Sequence, residues 1–408
     1  MNNINWFQRL KNIECPDATM EAPNPIVLSR GQGSLVWDIE SKPYIDLCAG
    51  FGSLALGHSH PRLQQVLQKT ELFQGMGDVY PTEAKITALE TIKQHLPDYL
   101  SHGAFAITGG QAVELAIKTA SLATGGSGVI CFDQGYHGLD LGVLPLAGRE
   151  DFKEPFQSLF KQENVERVAY GAPMEELEQA LNNFKRKKII PSSVIVEPIL
   201  GRGGVIIPPE GWLAELANFC QKQDILLIYD EIMTGMGRTG SFTHAESVPC
   251  DILCLGKALG GGFPISACFS TQKIMDAWKQ GQKEALHTGT FFGHPLMCEM
   301  VTETIREIED KNLIKQACET GQYLKSEIQK KLKDFPEFKE VRVKGLMCGL
   351  EFKSPSYGVK LMNDLIPEGV IVLPCGPDGR SLSIIPAFNI ERELLDQALE
   401  KIVKVMTK

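Results

Sequence analysis

From about Leu47 to Phe292, short apolar runs alternate with stretches of helical spacing, and nothing else in the chain constrains its fold as much. The runs Gly128–Phe132, Ser193–Val196, Leu226–Tyr229 and Ile252–Leu255 contain no charged residue, and Ala104–Ile107 reads the same way. Strands of that kind need cover on both faces. Between them, Ala112–Ala123 and Trp212–Gln221 repeat apolar residues at helical intervals. The alternation predicts an α/β fold, a mainly parallel sheet flanked by helices.

The chain has 408 residues, more than one typical domain holds. Three regions follow: residues 1–46, an N-terminal segment packing with the small domain; 47–292, a large domain; and 293–408, a smaller α+β domain. The last opens on a long helical stretch at His294. It continues through strands at Val341–Val343, Gly349–Phe352, Val370–Leu373 and Ser381–Ile385, and ends in a helix from Glu391 to about Val405.

Acidic residues outnumber basic ones, 50 to 41, for a formal charge of -9. That balance argues against nucleic acid or anionic lipid as a main partner. The dense basic run Lys185–Lys188 reads as a solvated helix end. Eleven cysteines are an odd number, and Cys131, Cys254 and Cys268 sit inside apolar runs as small hydrophobes. Cys250 and Cys254 are four apart but have no second pair and no suitably spaced His, so no metal is expected. No leader-like start or bilayer-length apolar segment is evident, and a reducing cytoplasm fits best.

Functional groups in parallel α/β sheets gather beyond the carboxyl ends of the strands. Asp230 ends the run Ile225–Tyr229, and a carboxylate leaving a buried strand needs a positive partner. A protonated pyridine nitrogen is one such partner; a salt-bridged or helix-capping aspartate is the plainer alternative. Lys257 follows the next strand and precedes Gly260-Gly261-Gly262. Desolvation there would lower its pKa and make the amine a nucleophile for a Schiff base; a lysine snorkelling from the sheet edge is the bland reading. On successive strand ends the two residues supply what a pyridoxal phosphate site requires. Thr108-Gly109-Gly110-Gln111, between a strand and a helix, could offer backbone N–H groups to a phosphate. Gly135-Tyr136-His137-Gly138 could bring a ring over the cofactor.

These residues resemble the class III pyridoxal-phosphate aminotransferases, which include 4-aminobutyrate, ornithine and diaminopelargonate aminotransferases. The resemblance runs nearly end to end. It is carried by Gly31–Asp38, Leu56–Pro61, Asp230–Gly240 with Lys257 beyond it, Thr288–Phe291 and Gly293–Leu296. It implies the fold of aspartate aminotransferase, fold type I, and a homodimer with shared active sites. It also implies that Lys257 forms the Schiff base and shuttles the proton, and that Asp230 holds the pyridine nitrogen protonated. Tyr136 and Ile232 would sandwich the ring, Gly109 and Gly110 would donate to the phosphate, and Thr290 would reach the neighbouring subunit's phosphate. Phe51 would line the substrate pocket.

Several positions depart from the family. Gly110 lacks the hydroxyl many members carry, with Thr108 a partial substitute, and Met233 replaces a glutamine that contacts the cofactor's phenolic oxygen. Leu139 and Leu382 stand where carboxylate-binding arginines are found, leaving Arg380 as the stand-in. Arg202 replaces a more usual acidic or small residue. Glu197 would then pair with Arg380 or Arg202, or face a cationic substrate group. Without those arginine clamps a standard 4-aminobutyrate enzyme is disfavoured. Transfer of an amino group from an amine or amino acid donor to a keto or aldehyde acceptor is the leading reading. An aminomutase, racemase or decarboxylase on the same cofactor, a nicotinamide-linked oxidoreductase and a non-catalytic binding protein stay open as alternatives.

Overall fold

The computed structural model describes residues 2–77, 79–280 and 285–407. A first helix, Asn3–Lys11, is capped by the Asn2 side chain on the Asn5 N–H. Three antiparallel strands follow: β1 (Leu28–Gln32), β2 (Leu35–Asp38) and β3 (Pro43–Asp46). Buried Asp38 fastens this region, accepting from the Asn3 amide (2.8 Å), the Tyr44 hydroxyl (2.9 Å) and the N–H groups of Glu40 and Lys42.

The central sheet is built from β4 (His102–Ala106), β5 (Gly128–Phe132), β6 (Val165–Val168), β7 (Pro191–Val196), β8 (Leu226–Asp230), β9 (Ile252–Leu255) and β10 (Ser266–Ser270). Their order is β4-β10-β9-β8-β7-β5-β6. Only β10 runs against the rest, antiparallel to both β4 and β9. Every residue of β5, β9 and β10 is buried, because helices cover both faces, as an uncharged strand demands. The expected strands at Gly128–Phe132 and Ile252–Leu255 form with those bounds, and Ala104–Ile107 forms slightly earlier. Two strands went unrecognised in the sequence. β6 carries Glu166 and Arg167 at the sheet edge, so it lacks an apolar signature, and β10 lies just beyond the glycine run.

The C-terminal region begins with helices Pro295–Asp310 and Leu313–Leu332. An antiparallel sheet of β11 (Phe338–Lys344), β12 (Met347–Phe352), β14 (Leu373–Cys375) and β15 (Ser381–Ile384) follows, and helix Arg392–Met406 closes the chain. The run expected at Val370–Leu373 is divided. β13 (Val370–Ile371) pairs in parallel with β3, while β14 pairs with β15. Ile45 and Leu47 join the core made by Leu324, Leu350, Leu382 and Leu399. Arg238, fully buried beyond β8, donates to the carbonyls of Leu346 (3.1 Å) and Pro386 (2.6 Å), and so ties the central sheet to the C-terminal region.

Candidate active site

The carboxyl ends of β4, β5, β7, β8 and β9 open on one cavity of about 610 Å³. Asp230, the last residue of β8, is 3% exposed. Its Oδ2 lies 2.7 Å from Nδ1 of buried His137, and its Oδ1 accepts from the Ile232 N–H at 3.2 Å. A carboxylate oxygen accepts, so in this contact His137 donates through Nδ1. One strand over, Lys257 follows β9 through Gly256 and takes a left-handed backbone, φ +46°. A non-glycine residue there costs about 1–3 kcal/mol, a burden typical of functional sites. The amine opens to the cavity, yet the dense surroundings desolvate it and lower its pKa. Glu197 and Asp230 oppose that shift, and the charge of Arg202 adds to it.

Helix Gly109–Thr124 points its N-terminus into the same cavity. Thr108 caps it by accepting from Gln111 N–H, and the Gln111 side chain accepts from Ile107 and Thr108 N–H. Such a capping box satisfies the outer donors. Gly109 and Gly110 N–H have no protein acceptor among the described residues. Ser266 on β10 steadies the turn, donating to the Thr108 carbonyl at 2.6 Å. A Cβ on Gly109 would meet Ile232 Cδ1 at 2.8 Å, and one on Gly110 would run into the Asp140 carboxylate. A side chain at either glycine would have to displace these neighbouring side chains.

Tyr136, Ile232, Met233 and Glu197 line the cavity as well. Glu197 is 5% exposed, accepting from Tyr136 N–H (2.8 Å) and Gly201 N–H (3.0 Å). It pairs with neither Arg202 nor Arg380. Burial, then the nearby Asp230 carboxylate, push its pKa up to about 6, against the pull of His137 and the two N–H groups.

Leu139, Arg202 and Met233 are shared with a second cavity of about 790 Å³ that forms its mouth. The first helix, Met20, Phe51, Leu373, Ser383 and Ile385 wall that mouth. Phe51 therefore stands at the entrance. Arg380 lines neither cavity. Its guanidinium is bound to Asp378. Leu382 is fully buried in the C-terminal core, while Ser383 on the opposite face turns to the mouth. Thr290 is exposed, its carbonyl accepting from Gln74 Nε2 at 2.8 Å. A larger groove, about 930 Å³, lies elsewhere; its Arg62 and Arg306 are paired with Glu303 and offer no reactive group.

His137 and Asp140 were not singled out in the sequence. His137 had a signal, a histidine just past a strand end while a buried carboxylate on the same edge needed a partner.

The family model "Aminotransferase class-III" matches residues 18–406. The chain belongs to the class-III aminotransferases. It is 32% identical to the acetylornithine aminotransferase of Methanothermobacter thermautotrophicus over 94% of each chain. It is 32% identical to the ornithine aminotransferase of Bacillus subtilis, also over 94% of each. The ornithine aminotransferase structure from Toxoplasma gondii matches all of this chain and 95% of its own with a TM-score of 0.90, at 28% identity. As a class-III aminotransferase the protein is an enzyme of fold type I that uses pyridoxal phosphate to transfer amino groups. Family membership decides among the open readings in favour of transfer.

Proposed function

We propose that the cavity at the carboxyl edge of the central sheet is where this aminotransferase holds pyridoxal phosphate and turns over its amine. The observation that carries the reading is Lys257 and Asp230 on adjacent strand ends, facing one cavity whose far wall is a helix N-terminus with two free N–H groups. The residues fit the cofactor. Gly109 and Gly110 leave space and donors for a phosphate. Asp230, held by His137, offers a fixed carboxylate to a ring nitrogen, and Tyr136 and Ile232 offer the faces between which a ring would lie.

When bound, pyridoxal phosphate supplies a carbonyl that condenses with amines and a conjugated ring that draws electrons from the substrate carbon. The chain's own groups do the rest. Lys257 binds the cofactor through its desolvated amine. The Lys257 Nζ would be the group that takes and returns the proton of the substrate carbon. Asp230 would hold the ring nitrogen protonated, and His137 fixes the Asp230 carboxylate in place through its hydrogen bond. Glu197 adds negative charge at the substrate side, balancing a cationic amine.

Residues 1–46 are proposed to act with the C-terminal region 293–408 as one body against the large domain 47–292, supported by the β3–β13 pairing. A homodimer with shared sites is proposed too. Phe73, Met76, Tyr80, Leu286 and Phe291 are exposed on segments joined by the Gln74–Thr290 bond, a patch that suits a second copy and would carry Thr290 toward the partner's phosphate. The eleven unpaired cysteines support a cytoplasmic setting. The names of the relatives make ornithine-like amino acids the first donors to try.

The test is a single turnover of purified holoenzyme with a panel of such donors. Transfer leaves one equivalent of keto or aldehyde product and a lasting change in cofactor absorbance. A rearranged or racemised amine with no carbonyl product would overturn the assignment.

A further inference from the structure

After β7 the chain makes a short hairpin, in which Leu200 and Ile206 exchange backbone hydrogen bonds of 3.0 and 3.1 Å. Arg202 stands at its tip. The hairpin backbone is pinned by the C-terminal region: Gly376 N–H donates to the Arg202 carbonyl (2.8 Å), and Arg342 donates to the carbonyls of Gly204 (2.8 Å) and Val205 (3.0 Å). The Arg202 guanidinium lies 4.7 Å from the Tyr136 ring centroid and 5.5 Å from that of Phe152. Those rings meet edge to face, 6.3 Å apart.

An exposed arginine resting on aromatic rings is ordinary, and its neighbours show the ordinary outcome. Arg149 is paired with Asp151, Arg342 with Glu340 and Glu351, and Arg380 with Asp378. Arg202 makes no ion pair or hydrogen bond through its side chain among the described residues. It is also the arginine that lines both the Lys257 cavity and its mouth. Lying over the Tyr136 ring, the guanidinium keeps N–H donors without a protein acceptor among the described residues, and such donors can take a carboxylate through two parallel hydrogen bonds.

We infer that Arg202 receives the carboxylate of the amine substrate, so that this enzyme's donors are primary amines bearing a carboxylate. The inference rests on the aminotransferase reading of the same cavity. Phe51, Leu139, Met233 and Ile385 form the apolar wall along which the methylene chain between amine and carboxylate lies.

The test uses holoenzyme and a ladder of ω-amino acids of increasing length, each beside the n-alkylamine that lacks only its carboxylate. In wild type, kcat/KM favours the amino acid of the best-matched length. Arg202→Gln should cut that preference about 10–100-fold, the effect of losing charge-assisted hydrogen bonds, and Arg202→Lys should restore part of it. An unchanged preference, or an equal loss on both members of a pair, overturns the inference. If wild-type holoenzyme converts no amine at all, the aminotransferase reading of the cavity has failed instead. Calorimetric binding of butyrate then decides Arg202: about tenfold weakening or more in Arg202→Gln supports the inference, and equal binding by both proteins overturns it.

Discussion

The inner cavity and its mouth are built on different terms. Around Lys257 the polar groups come from strand ends and one helix start and are held in place: buried Asp230 is locked by His137, buried Glu197 by two N–H groups, and the more open Thr108 by Gln111 and Ser266. The mouth is walled by the first helix, the hairpin tip and the C-terminal sheet, with exposed Phe51, Leu139 and Arg202. A fixed inner cavity suits a cofactor that must be aligned with a proton carrier, and a mouth drawn from three separate regions is where specificity can change without disturbing that alignment.

The comparison implies a gradient of effects from Lys257 outward. Lys257→Ala should abolish turnover and remove the covalent cofactor absorbance while leaving cofactor bound through its phosphate. Wild-type absorbance together with activity would show that another amine does the work. Asp230→Asn should come next, lowering kcat about 10²–10³-fold through loss of a buried charge aimed at the reacting system. Its melting temperature should change much less than its rate; comparable collapse of both would make Asp230 structural.

The cradle separates binding from folding. Gly110→Ala favours the helix by about 1 kcal/mol, so thermal stability should hold or rise. The added Cβ meets the Asp140 carboxylate and crowds the phosphate, so cofactor affinity should fall about tenfold by equilibrium dialysis. Asp140→Asn removes a negative charge from the same rim and should tighten cofactor binding severalfold. Equal affinity in all three proteins would place the phosphate elsewhere.

Smaller effects should appear as displaced pH profiles. The Glu197 carboxylate favours the protonated Lys257 amine and the Arg202 guanidinium disfavours it. Glu197→Gln should therefore let the amine lose its proton at lower pH, moving the profile of covalent cofactor capture toward acid. Arg202→Gln should move it toward alkali. Displacement of both profiles in the same direction would mean that neither charge acts on Lys257 directly.

Much of the inner cavity was legible in the sequence, because a charge at the end of a buried apolar strand is costly and so stands out. Asp230, Lys257 and Glu197 all occupy such places, and Gly109 and Gly110 stand out as a glycine pair between a strand and a helix. The mouth was less legible. Whether Leu382 or Ser383 faces it depends on the phase of β15, which follows from pairing with β12 and β14 and not from local spacing. Arg202 could be seen to be unusual, but its lack of a carboxylate partner is a property of three-dimensional neighbours. β10 was missed since its direction, opposite to every other strand in the sheet, breaks the βα rhythm on which the reading depended.

Arg380 marks the far end of the gradient. It precedes β15 and lies two positions before Leu382, whose face of the strand turns to the C-terminal core, whereas Ser383 and Ile385 turn to the mouth. Its side chain closes back on Asp378, whose carboxylate it holds below the usual range through their hydrogen bonds. A solvent-screened pair of this kind contributes little to stability. Arg380→Ala should therefore change kcat/KM for carboxylate-bearing donors less than about threefold and the melting temperature by no more than a few degrees. A loss rivalling that of Arg202→Gln, confined to donors with a carboxylate, would mean that Arg380 leaves Asp378 when substrate enters. The outer gradient would then have to be redrawn around two arginines.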